Sequence, residues 1–535
     1  YLFISMRILL VFFMKEILSK IKEFFNDKSL RSKSFLIGGF PLVIFLALCL
    51  INLNFAEKIT NIGRNFALSY FGSVWLVMVV GISLVAFFIG FSPIGSLKIG
   101  GAESKPSLSY FDWCAVLICT LLAGGGVFWS AAEPLIHFLN PASYFSNISG
   151  GTEQAIDPSL SVSFLHWGFL AWALVASTVT ISFSLLAQNG LPLRPRTLLI
   201  PLIPKKIVDG ILGDIVDGLS VVAAIAGTVG PLGFLSLQLS NAAGKLSFLS
   251  NNGFLQTFIV LFLTFIFTIS TLSGIQKGIK FLSEINIWLT IFLGIVLLLI
   301  GPTFWLIKHF VSSNFLYLNN IGSLALPNSN DSWVKGWTIF YWGWFLGYAP
   351  LMGLFTAGVS KGRTFRELII VVCIICPFVT NLWFTILGGN GIFLELNNPN
   401  LLSKELSESG AAGVLFSILN QLPLSNLILP ISIFLIVLFM CTSADSISYA
   451  AAIVVSGKET PPKKIRLFWA LIIGFLTIAL LRIGSDTVGK TSIDALQAFI
   501  IITAIPVTPI IISTLWTAPT LALKEYRKLR NTNQR

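Results

Sequence analysis

Apolar runs of about 20 residues recur along the whole chain, the length a helix needs to cross the hydrocarbon core of a bilayer. Twelve can be read, near residues 35–54, 68–92, 108–132, 161–187, 214–244, 254–274, 284–307, 336–357, 366–389, 427–455, 465–484 and 493–518. The segments between them reach at most about 40 residues, below the size of an independent domain. Composition agrees: 55% of the 535 residues are hydrophobic and 11% are charged, against about 25% charged in soluble domains. The chain is predicted to be an all-α membrane protein.

A net charge of +12 raises the question of nucleic acid, and its distribution answers it. The N-terminus, the even-numbered loops with their flanks and the C-terminus hold 27 of the 35 Lys and Arg residues, and the odd-numbered side holds 8. That asymmetry places both termini in the cytoplasm. The basic arm KEILSKIKEFFNDKSLRSK and the tail EYRKLRNTNQR suit anionic headgroups or simple topology anchoring, with no nucleic acid partner. The chain opens on Tyr1, and Met14 is the expected native start. The short apolar stretch before it reads as neither a signal peptide nor a further span.

All six cysteines fall in apolar spans. Cys373 and Cys376 form a CxxC inside a helix, where packing is the simpler account. His137, His166 and His309 are scattered along the sequence, so no metal cluster, phosphate loop or nucleophile elbow is expected. The chain reads as no enzyme.

Two spans carry weakened backbone. Span 3 contains LLAGGGVFWSAAEP, with Gly124, Gly125 and Gly126 together; span 8 contains GWFLGYAP, with Gly343, Gly347 and Pro350. Consecutive glycines weaken a helix by about 1 kcal/mol each relative to Ala, and they admit close approach of a backbone or solute. Spans 3 and 8 each open a five-span unit. Units of odd length have opposite orientation, and interrupted helices at matching places in inverted halves point to a secondary transporter's site.

Span 8 also collects seven rings: Trp337, Phe340, Tyr341, Trp342, Trp344, Phe345 and Tyr348. Tyr341, Trp344, Phe345 and Tyr348 share one helix face, and Gly343 and Gly347 lie roughly opposite. Interfacial aromatic belts sit at span ends, whereas these rings lie inside. Quaternary ammonium donates no ordinary hydrogen bond and is drawn to aromatic faces, by about 2 kcal/mol or more when desolvated. Span 4 offers a second wall in His166, Trp167 and Trp172. The two tryptophans lie about 140° apart on an ideal helix, so they can flank a concave pocket.

With these motifs in hand, the chain resembles the betaine–choline–carnitine transporter (BCCT) family from about residue 35 to 518. The resemblance rests on GSLKIGGAESKPSLSYFDW before span 3, AAEP at 131–134 and SGIQKGIKFLSEIN at 273–286. FYWGWFLGYAPLMGLFTAGVSKGRTFREL across span 8, WFTILGGNGI in span 9 and TSADS at 442–446 complete it. It implies twelve spans with a LeuT-like inverted five-helix repeat in spans 3–12. The expected organisation is an N-terminal cytoplasmic arm (1–34), spans 1–2 (35–107), a first repeat (108–307), a second repeat (336–518) and a basic cytoplasmic tail (519–535). It also implies uptake of a quaternary-ammonium, sulfonium or related zwitterionic compatible solute, such as a betaine, choline or carnitine, across a bacterial cytoplasmic (inner) membrane. Sodium symport is the expected coupling, and a homotrimer is one assembly the resemblance admits.

The resemblance further implies a solute site at Trp167, Trp172, Trp342, Trp344, Phe345 and Tyr348, with Gly124 and Gly125 on span 3. Phe345 stands where relatives usually have tryptophan, and Val175 where betaine carriers can have tyrosine. Sodium ligands are implied at Thr442 and Ser443 through hydroxyls, and at Cys119, Leu122 and Phe439 through carbonyls. The competing reading for both hydroxyls is back-bonding to the helix. No Lys or Arg lies between Gly218 and Gly244 in span 5, which favours an ion-coupled symporter over a sodium-independent exchanger. Thr228 fits a second ion site, but Ala224 and Leu351 offer it nothing. Asp445 is expected to brace a helix break and Glu133 to bond backbone. A channel would need a more polar lining. An amino-acid symporter of the same architecture would need partners for a carboxylate and an amine.

Overall fold

The computed structural model describes residues 32–246, 251–273, 280–458, 460–483 and 492–533. The arm before Ser32 with its expected start at Met14, residues 274–279 of the SGIQKGIKFLSEIN segment and the last two residues of the tail lie outside the described residues. Among the described residues the regular structure is helical. Extended pairing is confined to one isolated bridge, Lys98 with Thr364.

Among the described residues, nine helices are long and apolar enough to cross a membrane, and two bent pairs raise the number to eleven. The remaining expected span is the helix Phe340–Val359, the ring-rich span 8. Its 20 residues reach about 30 Å at 1.5 Å per residue, enough to span. Its indoles and phenols carry polar groups. That is tolerable here because 17 of its 20 residues are buried by protein.

Backbone irregularity falls partly where the glycines predict it. Span 3, Tyr110–Leu139, bends by 68° between its Tyr110–Leu122 and Gly124–Phe145 parts. Span 8 does not break at Gly343, Gly347 or Pro350. Its irregular turn is a π-helical one just before it, Lys335–Ile339. The glycines serve contact instead: a Cβ on Gly343 would press into Trp75 and Ile501, and Gly347 faces Ala223 and Ala504. Span 4 is interrupted where no break was expected, at Gly168 and Ser177, giving Ile156–Trp167, Phe169–Ala176 and Thr178–Gln188. Span 7 ends at Ile300 rather than near 307. After Pro302 the chain turns by 109° into a second helix, Thr303–Asn319. Asp157 at the start of span 4 anchors that helix, accepting from His309 at 2.7 Å, Ser312 at 2.8 Å and Ser313 at 2.9 Å.

Span 8 lies at the centre, packed against spans 4, 5 and 12. Span 3 packs against spans 4, 9 and 10. On the side of the even-numbered loops, the segment after span 2 is laced to the one after span 8. Ile99 N–H donates to Arg363 O (2.8 Å), Gly362 N–H to Ile99 O (2.7 Å) and Phe365 N–H to Leu97 O (2.9 Å). Gly362 has φ +86°, and a Cβ there would collide with the Lys105 backbone, so this crossing requires glycine. Arg363 lies over the rings of Tyr110 (5.2 Å) and Trp113 (5.0 Å). A second tie on this side is an ion-pair network. Arg196 bonds Asp217 (2.6 Å) and Asp214 (2.5 Å), Arg194 bonds Asp217 (2.7 Å), and Ser34 of span 1 donates to Asp214 (2.8 Å).

Candidate solute and ion sites

Trp167 closes the first segment of span 4 and Trp172 lies in the second, on either side of the Gly168 break. The interruption replaces the regular helical angle expected between them. Both indoles face one cavity, with Phe345 of span 8, Leu121 and Leu122 of span 3, and Ala171 and Val175 of span 4. The cavity is small, ≈ 20 Å³. The rings therefore stand nearly closed on one another, with space for about one water. No carboxylate lines the cavity.

Each indole is anchored by its N–H, away from its face. Trp172 Nε1 donates to Thr380 Oγ1 of span 9 at 3.2 Å. Trp167 Nε1 donates to Glu133 Oε2 of span 3 at 2.8 Å. Indole has no other polar group, so a satisfied N–H leaves the π faces as the recognition surface. Phe345 meets Trp167 edge-on, with centroids 5.3 Å apart and planes at 76°.

The remaining expected solute residues divide. Trp344 stands behind the cavity wall, stacked on Phe345 (5.7 Å) and edge-on to Trp167 (5.9 Å), its Nε1 donating to Gly227 O at 3.2 Å. Gly125 permits this: a Cβ on it would collide with the Trp344 ring and touch Trp167. Gly124 instead faces Leu235 and Pro231 of span 5. Tyr348 lies outside the cavity lining, its hydroxyl 2.9 Å from Thr228 Oγ1. Trp342 is fully buried outside that lining, 6.3 Å from His166 between ring centroids, with its Nε1 unpartnered.

Of the ion residues, Leu122 and Phe439 border one cavity between spans 3, 7, 9 and 10. Thr442 Oγ1 donates back to Leu438 O (2.9 Å) and Phe439 O (3.1 Å), and lies 3.4 Å from Asn286 Nδ2. Donation uses its proton and leaves oxygen lone pairs. Ser443 Oγ is buried without a hydrogen-bond partner, a state that costs about 1–3 kcal/mol unless something else satisfies it. Cys119 is buried on span 3, which packs against span 10. Asp445 braces no helix break, since Ser425–Ser456 runs unbroken. It accepts from Ser270 of span 6, tying spans 6 and 10.

The largest departure from expectation is Glu133. It bonds side chains, not backbone. His166 Nδ1 lies 2.6 Å from Oε1, and Tyr341 donates to Oε2 at 2.6 Å beside Trp167. His137 Nε2 lies 3.5 Å from Oε1. Two of the three scattered histidines thus meet one carboxylate, with ligand-type atoms within 4.8 Å of one another. Both carboxylate oxygens already accept short bonds, which disfavours a metal there. The Glu133–His137 spacing of four residues on one helix was the local signal; the contacts with His166 and Tyr341, 33 and 208 residues away, left none.

The apolar helices mark a multi-pass membrane protein, and the family it matches is one of transporters rather than enzymes. The profile of the BCCT, betaine/carnitine/choline family transporters matches residues 34–527. Glycine betaine transporter 2 of Vibrio parahaemolyticus is 39% identical over 494 residues, covering 92% of this chain and 90% of its own. The glycine betaine transporter OpuD of Bacillus subtilis is 30% identical, covering 89% and 91%. The ectoine/hydroxyectoine transporter of Virgibacillus pantothenticus is 28% identical, covering 91% and 95%. The chain belongs to the betaine/carnitine/choline transporter family.

Proposed function

We propose that the protein takes up a small methylated onium zwitterion of the glycine betaine type by sodium symport across a bacterial cytoplasmic membrane. The observation that carries the solute class is the carboxylate-free cavity between Trp167, Trp172 and Phe345. A trimethylammonium or sulfonium head needs no hydrogen-bond acceptor, and three ring faces attract it electrostatically. The names of two relatives point the same way, toward glycine betaine, while a third is named for ectoine, a zwitterion without an onium head. With phenylalanine at 345, the weaker π donor supplies one wall.

Sodium coupling is supported by the unpartnered Ser443 hydroxyl next to Thr442, on a span packed against span 3. Hydroxyls and carbonyls are the oxygen donors that transporter ion sites use. The nearly closed cavity fits alternating access, in which spans 3, 4, 8 and 9 rock against the others and the rings part to admit solute.

The test is uptake into proteoliposomes of glycine betaine, choline, carnitine, dimethylsulfoniopropionate, ectoine and taurine, with and without an inward sodium gradient. A methylated onium solute accumulating only with the gradient is the expected result. Accumulation of taurine alone, or accumulation indifferent to sodium, would remove the corresponding half of the proposal.

A further inference from the structure

We infer that Glu133 is a positioning residue that orients and electrostatically charges the Trp167 wall of the solute cavity, and so sets selectivity for a cationic head over a neutral one of equal shape. This rests on the onium reading above.

Glu133 is fully buried, yet it lies outside the cavity lining. Its Oε2 accepts the Trp167 N–H at 2.8 Å and the Tyr341 O–H at 2.6 Å; its Oε1 lies 2.6 Å from His166 Nδ1. An indole N–H can only donate, so this carboxylate acts as acceptor toward the ring that faces the solute. His166 is held in turn at Nε2, 3.0 Å from Thr338 Oγ1. The three partners come from spans 4 and 8, and the carboxylate from span 3, so one side chain ties together all three spans that wall the cavity.

Two consequences follow from elementary electrostatics. Charge-assisted bonds are about twice as strong as neutral ones, so the plane of Trp167 is fixed more firmly than a neutral acceptor would fix it. A carboxylate bonded to the indole N–H also pushes electron density into the ring, and the ring's negative face is what attracts a cation. The negative charge therefore acts on the onium through the indole, without touching it or competing for hydrogen bonds. The residues provide what the cavity lacks: an anion kept one ring away from the guest. His137, whose ring nitrogens have no hydrogen-bond partner and whose Nε2 lies 3.5 Å from Oε1, completes the titratable surroundings of the carboxylate.

The experiment compares glycine betaine with 3,3-dimethylbutanoate, in which carbon replaces the onium nitrogen and the shape is kept. Binding is measured on purified full-length protein in nanodiscs by calorimetry, together with KM and kcat for betaine in proteoliposomes. Glu133→Gln keeps size and an acceptor but loses the charge. It is expected to weaken betaine binding about tenfold, raise KM more than it lowers kcat, and cause no loss in the already weaker binding of the analogue, whose head is neutral and whose net charge is negative. Trp167→Phe keeps a ring but loses the N–H. Glu133→Gln on a Trp167→Phe background is expected to cost betaine binding no further, because the effect passes through that N–H. Equal losses for betaine and its neutral analogue, or additive losses in the double variant, would overturn the inference. If Trp167→Phe, Trp172→Ala and Phe345→Ala all leave betaine binding intact, the onium site itself is wrong, a separate result.

Discussion

At the scale of single residues, the proposed solute site stands on ring faces whose polar edges are already satisfied. Trp172 is held by Thr380 and Trp167 by Glu133, so truncation removes π surface without freeing a cavity carboxylate. A desolvated cation–π contact of about 2 kcal/mol corresponds to roughly 30-fold in affinity. Trp172→Ala is therefore expected to raise the apparent KM for the preferred onium by about that factor, with a smaller rise for Phe345→Ala, both from initial uptake rates. For the ion, Ser443→Ala and Thr442→Ala are each expected to raise the sodium concentration for half-maximal uptake about fivefold, the worth of one hydroxyl contact. A sodium titration at saturating solute checks this. Trp167, Trp172 and Phe345 were legible in the sequence because aromatic side chains inside a span, away from its ends, are unusual. Glu133 was not: a lone acid near a span end looks like a backbone brace until partners far along the chain arrive. Trp342 misleads for the opposite reason. It sits beside cavity residues in sequence, but helical rotation carries it to another side.

At the scale of elements, glycine was the readable signal, and it meant contact more often than bending. Gly125 admits the edge of Trp344, and an added methyl would have to displace an indole wedged among other rings. Overpacking of this kind typically costs about 1–3 kcal/mol. Gly125→Ala is expected to lower both uptake and the melting temperature in detergent. Gly358→Ala, where an added Cβ meets nothing within 4 Å, is expected to leave the melt unchanged or slightly raise it. The breaks at Gly168 and Ser177, and the sharp turn after Ile300, were not legible from composition. Apolar runs continue straight through span 4, and a turn outside the bilayer leaves hydropathy unchanged. The turn is held by polar side chains converging on Asp157, a tertiary feature. The Arg194–Arg196–Asp214–Asp217 network is similar. Removing one partner of a buried pair costs about 3–5 kcal/mol because the other charge is left behind. Asp217→Ala is accordingly expected to reduce the yield of folded protein and its melting temperature.

At the scale of the whole molecule, the all-helical class and up to eleven of the twelve expected crossings were readable because the bilayer fixes segment length and excludes most alternatives. Orientation rests on charge asymmetry and is open to direct measurement. Ser96, in the loop after span 2, and Ser323, in the segment before span 8, are both exposed. With the positive side inward, Ser323→Cys is expected to react with a membrane-impermeant maleimide in intact cells. Ser96→Cys is expected to react only after permeabilisation, and the reverse pattern would invert the topology.

The central helix also bears on how such a chain is built. Span 8 is buried by protein along almost its whole length, and its glycine face rests on Trp75 and Ala223, made before it, and on Ile501 and Ala504, made after it. During synthesis that face therefore lacks part of its packing surface until the last crossing emerges from the ribosome. Final seating of the ring-rich helix is thereby deferred to the end of translation, and a chain truncated before span 12 is expected to leave span 8 incompletely packed.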